Sequence, residues 1–114
     1  MNPDEIDLDA LTRDEKSALV YAETCLVDYG GLLEGIRMNE HDIAAFNRFQ
    51  TEGLLTWGRV PGAMIGTFAR KVTHWITFND GAWILAHRLR RARAGRSTPS
   101  RQAVDAYLDE RETA

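Results

Sequence analysis

The sequence predicts a small α+β domain, with helices packed on a two-stranded β-hairpin and a long C-terminal helix. Three observations lead there. A helical pattern ends at Glu52-Gly53, and Leu54-Leu55-Thr56-Trp57 follows with no spacer. Glycine supplies the positive φ that stops a helix abruptly, so a strand can begin at once. Residues 72–78, VTHWITF, then set Val72, His74, Ile76 and Phe78 against Thr73, Trp75 and Thr77, the period of a strand. Finally, DGAWILAHRLRRARAG follows a capping Asn79 or Asp80 and repeats its apolar residues at helical spacing.

Taken in order, residues 1–11 form an acidic segment, 12–95 the folded domain, and 96–114 a linker with a short amphipathic tail helix. Thr12 opens T-R-D-E, in which Glu15 stands at the third position after the cap, as in a capping box. A helix is expected from Arg13 to Tyr29. Its apolar positions are Leu19, Val20, Ala22, Cys25, Leu26 and Tyr29, and Gly30-Gly31 stops it. LLEGIRM, residues 32–38, has room for one helical turn. Asn39 caps the next helix, Glu40 to Glu52, which buries Ile43, Phe46 and Phe49, and Asp42 sits in its first turn. Residues 54–60 form a strand ended by Pro61-Gly62, PGAMIGTFARK is a loop, and 72–78 return as the second strand. On the last long helix Ala82, Leu85, Ala86 and Leu89 share one face. STPS at 97–100 makes a turn before a short helix at 101–112 carrying Val104, Tyr107 and Leu108.

A chain of 114 residues, 44% hydrophobic and 27% charged, suits one domain with a modest core. No apolar run approaches the roughly 20 residues that span a bilayer. The acidic start, MNPDEIDLDAL, lacks the basic and apolar regions of a signal peptide. A lone Cys25 cannot form an internal disulfide. A cytoplasmic protein without membrane contact is the expectation. The net charge of −3 conceals an asymmetry. Residues 1–57 hold 12 acidic and 4 basic side chains, whereas 58–114 hold 5 acidic and 10 basic. A basic face is therefore compatible with the acidic total.

The E-G-L-L corner, the hairpin and the N-D-G-A-W junction, in that order, resemble the winged helix-turn-helix of MarR- and PadR-type regulators over about residues 13–95. The resemblance implies a double-stranded DNA-binding transcription regulator of bacterial or phage type, often a homodimer joined through its terminal helices. It also implies that helix 40–52 enters the major groove and that the hairpin is the wing. Outward residues of that helix would be Glu40, His41, Ala44, Ala45, Arg48 and Thr51. Arg48, with His41, would read bases, while Arg37, Arg59, Arg70 and Lys71 would hold phosphates. Arg88 and Arg91 on the last helix would add phosphate contacts, although arginines there also suit the helix dipole. Two features depart from the family. GGLLEGIR is a poor former of the unit's first helix, and the wing loop is long and apolar.

A second function follows from the same residues. Glu40, Asp42 and Glu52 share the groove-facing helix, and phosphates repel carboxylates. Glu40 and Asp42, with Met64, Ile65 and Phe68 in the loop, would then bind a protein partner. An example is a phage or mobile-element inhibitor that mimics nucleic acid against a host complex. No catalytic set, metal site or cofactor is expected. Cys25, His41, His74 and His87 have no zinc-ligand spacing, and Gly53-x-x-x-x-Gly58 continues into Arg-Val rather than Lys-Ser/Thr. Trp57 and Trp75 are expected to pair across the hairpin.

Overall fold

The computed structural model describes residues 2–96 and 98–113. Among them are four α-helices, α1 (Arg13–Tyr29), α2 (Glu40–Thr51), α3 (Asp80–Ala94) and α4 (Pro99–Thr113). Three strands, β1 (Leu32–Leu33), β2 (Leu55–Arg59) and β3 (His74–Phe78), form an antiparallel sheet in the order β1-β3-β2. The α+β expectation holds, with one more strand than the sequence revealed. β1 spans two residues, too few to announce themselves by alternation, and it exists because β3 offers a partner: Leu32 faces Trp75 and Leu33 faces His74.

Local chemistry sets the helix ends. Thr12 Oγ1 accepts from Glu15 N and the Glu15 carboxylate accepts from Thr12 N, closing the box at the start of α1. Gly30 in the left-handed region (φ 65°) ends α1, and Gly31 (φ 83°) turns the chain directly into β1. A 3₁₀ turn at Gly35–Arg37 supplies the single turn expected between 32 and 38. Asn39 and Asp42 make a second capping box for α2. Gly53 (φ 76°) ends that helix, and Leu54 is buried as the chain enters β2. Asn79 ties both ends of this corner together. Its Oδ1 accepts from Ala82 N to cap α3, and its side-chain amide donates to Gly53 O. Asn79→Ala should therefore cost about 1–2 kcal/mol, read as a lower urea midpoint with unchanged m-value. An unchanged midpoint would show that the corner holds without it.

The core lies between α1, α2, α3 and one face of the sheet. Phe46 and Phe49 from α2 meet Leu19, Ala22 and Cys25 from α1, and Ala82, Leu85, Ala86 and Leu89 from α3. That last set is the face the spacing predicts. Several positions differ from expectation. Ile43 is 38% exposed, because it lies on the flank of α2 rather than under it. Ala45, read as outward, is buried at 3%. Tyr29 is largely exposed at the end of α1. The strands are shorter than 54–60 and 72–78, although Val60 and Val72 just outside them are buried. The tryptophans do not face each other. Trp57 stands opposite Ile76 and stacks on His74 at 5.3 Å, while Trp75 lies opposite Gly58, where a Cβ would crowd its ring at 3.1 Å. The tail helix begins at Pro99, two residues before the expected start, and none of its described side chains is buried.

Candidate nucleic-acid interface

α2 is held rigidly between α1 and the hairpin. On its hairpin side, Gln50 Oε1 accepts from Trp57 N at 2.9 Å and Asn47 Oδ1 accepts from the Trp57 indole at 3.1 Å. On its other side Arg48 donates to Glu15 and lies 3.4 Å from Glu52. Glu15 is nearly buried. Burial pushes its carboxyl upward, but the Thr12 N–H and the Arg48 guanidinium outweigh that and hold it below the ordinary carboxylate value. Arg48 is thus a bracket between α1 and α2. Of the other α2 residues expected to face outward, Glu40, His41, Ala44 and Thr51 are exposed. Asp42 is occupied by the Asn39 N–H in the cap, while Glu40 extends into solvent near His41.

A second cluster surrounds Glu34. Arg37 Nε lies 2.7 Å from one of its oxygens and Arg70 Nε 3.2 Å from the other. Arg70 also donates to Leu32 O at 3.1 Å, and its Cζ sits 3.5 Å from the Tyr29 ring centroid. This pins the end of the hairpin loop to the end of α1. The Arg37 hydrogen bond, with the charge of Arg70, holds the Glu34 carboxyl below its ordinary value despite some desolvation. The two arginines and one carboxylate leave a local excess of one positive charge.

The other candidates divide into free and engaged. Arg59, Lys71 and Arg91 are exposed, and among the described residues none has an ion-pair partner. Arg59 flanks His74, whose imidazole is lowered first by burial and then by that guanidinium. Thr73 Oγ1, which accepts from Gly35 N, is 2.7 Å from His74 Nδ1, an arrangement suited to a neutral ring. Arg88 donates to Pro3 O at 2.6 Å and so fastens the N-terminal segment to α3. Met64 (46%) and Ile65 (43%) are exposed on the loop, while Phe68 is half buried.

No family model, curated protein or solved structure matches this chain. The geometry of the α2–hairpin face therefore carries the functional argument. The five arginines and lysines expected at a duplex from α2, the turn before it and the hairpin are not gathered into one patch. Arg37 and Arg70 converge on Glu34, Arg48 belongs to the α1–α2 bracket, and Arg59 and Lys71 flank the hairpin loop. Sequence reasoning missed Glu15, Glu34 and Tyr29 as the groups that occupy Arg48, Arg37 and Arg70. Glu15–Arg48 and Arg70–Glu34 join distant parts of the chain, so no local spacing announces them. Among the described residues, no three His, Cys, Asp or Glu side chains gather as metal ligands, and no helix is long and apolar enough to cross a membrane.

Proposed function

We propose that the chain is a winged-helix DNA-binding module of the regulator type, contacting duplex DNA mainly through its hairpin. The observation that carries this reading is the path of the chain: α1, a short edge strand, a tight turn, α2, then a hairpin whose second strand is the middle of the sheet. That path supports the winged-helix resemblance, with a 3₁₀ turn at Gly35–Arg37 in place of the unit's first helix, and it sets α2 beside a hairpin carrying Arg59 and Lys71. Phosphate contacts come from these two, with Arg37 and Arg70 adding the unpaired charge of the Glu34 cluster. His41 and Thr51 are the exposed polar groups of α2 left for base contacts.

A duplex titration by fluorescence anisotropy tests this, using random DNA and the DNA flanking its own gene. About three phosphate contacts give a log–log salt slope near −2.7, or roughly 40-fold weaker binding at 200 than at 50 mM salt. Arg59→Glu with Lys71→Glu abolishes the binding. No binding to any duplex at 50 mM salt overturns the reading. One observation favours the second reading, a winged-helix scaffold used for protein binding: the outward face of α2 holds Glu40 and no free cation. In that case Glu40 and the exposed Met64 and Ile65 are the residues to mutate.

A further inference from the structure

Glu15 of α1 turns toward Arg48 of α2, whereas Arg13, Lys16 and Val20 line a cleft on another side of α1. The cleft measures about 840 Å³, within the range of small-molecule sites. Its walls are the 3₁₀ turn at Leu8–Ala10, the first half of α1 and the last turns of α3.

Charge is divided along its length. Arg90 clamps the two helices at one end, donating to the Glu23 carboxylate and to the Val20 carbonyl. Val20 and Leu89 belong to that end, and with Leu8 and Ala92 they form an apolar floor. Arg13 and Lys16 lie N-terminal to Val20 on α1, while Arg93 and Arg96 lie C-terminal to Leu89 on α3. Both helices thus carry their cations away from the clamp. None of these four has an ion-pair partner among the described residues.

Local electrostatics accounts for only half of the set. Arg93 suits the negative end of the α3 dipole, and Arg96 follows it. Arg13 and Lys16 stand at the N-terminal end of α1, where the dipole disfavours positive charge and favours an anion. The carboxylates on the cleft wall are Asp7 and Asp9, and one Asp7 oxygen is already taken by Asp9 N.

We infer that this cleft binds a nucleotide carrying two or more phosphates. The phosphates lie among Arg13, Lys16, Arg93 and Arg96. The base covers the apolar floor, where a guanidinium plane also stacks on it. Asp9 and the remaining Asp7 oxygen accept from base amino groups or ribose hydroxyls. A duplex backbone fits less well, because it leaves the floor uncovered and meets the two carboxylates. The site goes beyond the DNA reading and uses none of the α2–hairpin residues.

Isothermal titration calorimetry of the full chain tests this at low salt, without DNA, so its outcome is separate from that of the duplex titration. The probes are the four ribonucleoside triphosphates and inorganic triphosphate. At least one nucleotide should saturate at one per chain and bind roughly tenfold or more tightly than inorganic triphosphate. Lys16→Glu/Arg93→Glu, shown to be folded by circular dichroism, should weaken that binding roughly tenfold or more. Should it not fold, Lys16→Gln/Arg93→Gln serves, with a smaller loss in the same direction. Saturation by none of the nucleotides overturns the proposal. Equal affinity for inorganic triphosphate overturns it too, since the floor then contributes nothing, and so does a folded variant that binds as well as the parent.

Discussion

Gly31→Ala should lower the unfolding free energy by about 3 kcal/mol or more, whereas Gly30→Ala should cost about 1 kcal/mol. Both glycines have positive φ, so both substitutions strain the backbone. Only Gly31 is also enclosed. A Cβ there would stand 2.5 Å from the Ile76 carbonyl oxygen and 3.1 Å from a Leu26 methyl, while at Gly30 nothing lies within 4 Å. The neighbour at Gly31 is backbone and cannot rotate away. Relief requires β1 to move off β3, at the expense of the 2.9 Å hydrogen bond from Ile76 N to Gly31 O. Urea denaturation followed by circular dichroism measures both variants. Equal losses would show that the dihedral matters and the close approach does not.

The second large effect concerns Glu15. Glu15→Ala should cost about 2–4 kcal/mol. It removes the acceptor of Thr12 N and the buried end of the Arg48 bracket together. The figure stays at the lower end of buried pairs because Arg48 is 44% exposed and can recover water. Glu15→Gln keeps an oxygen for Thr12 N and loses only the charge, so its cost should be about 1 kcal/mol. Parent and Gln variant should differ most at neutral pH and least in acid. The folded carboxyl is held below the unfolded value of about 4.5, so the charge stabilises the fold fully above that pH. The contribution fades as pH falls through the lower folded value. Midpoints measured from pH 6 to pH 3 should converge for parent and Gln variant. Parallel curves would remove Glu15 from the acid response.

How much of this was legible in the sequence depends on range. The caps at Thr12, Asn39 and Asn79 were readable because donor and acceptor are three residues apart. The apolar face of α3 was readable from its spacing. β1 was not, since a two-residue strand is defined by its partner. Arg48 looked like a groove-reading residue because local sequence cannot reveal that Glu15 waits on another helix. Arg37 and Arg70 likewise looked free, and their shared Glu34 became visible only once β1 and the hairpin were placed. The sequence therefore named a plausible set of cations, while the fold decides which of them still have charge to offer.

The order β1-β3-β2 has a consequence for synthesis. The middle strand is the last to be made, so both edge strands leave the ribosome before their partner exists. Leu33 waits for His74, and Leu55 for Phe78. Until then the emerging chain can cap α1 and α2 but has no sheet to lay them on. Any fragment stopping short of residue 74 keeps exposed the apolar faces that the finished domain buries, and should be a target for chaperones rather than a folding intermediate with a core of its own.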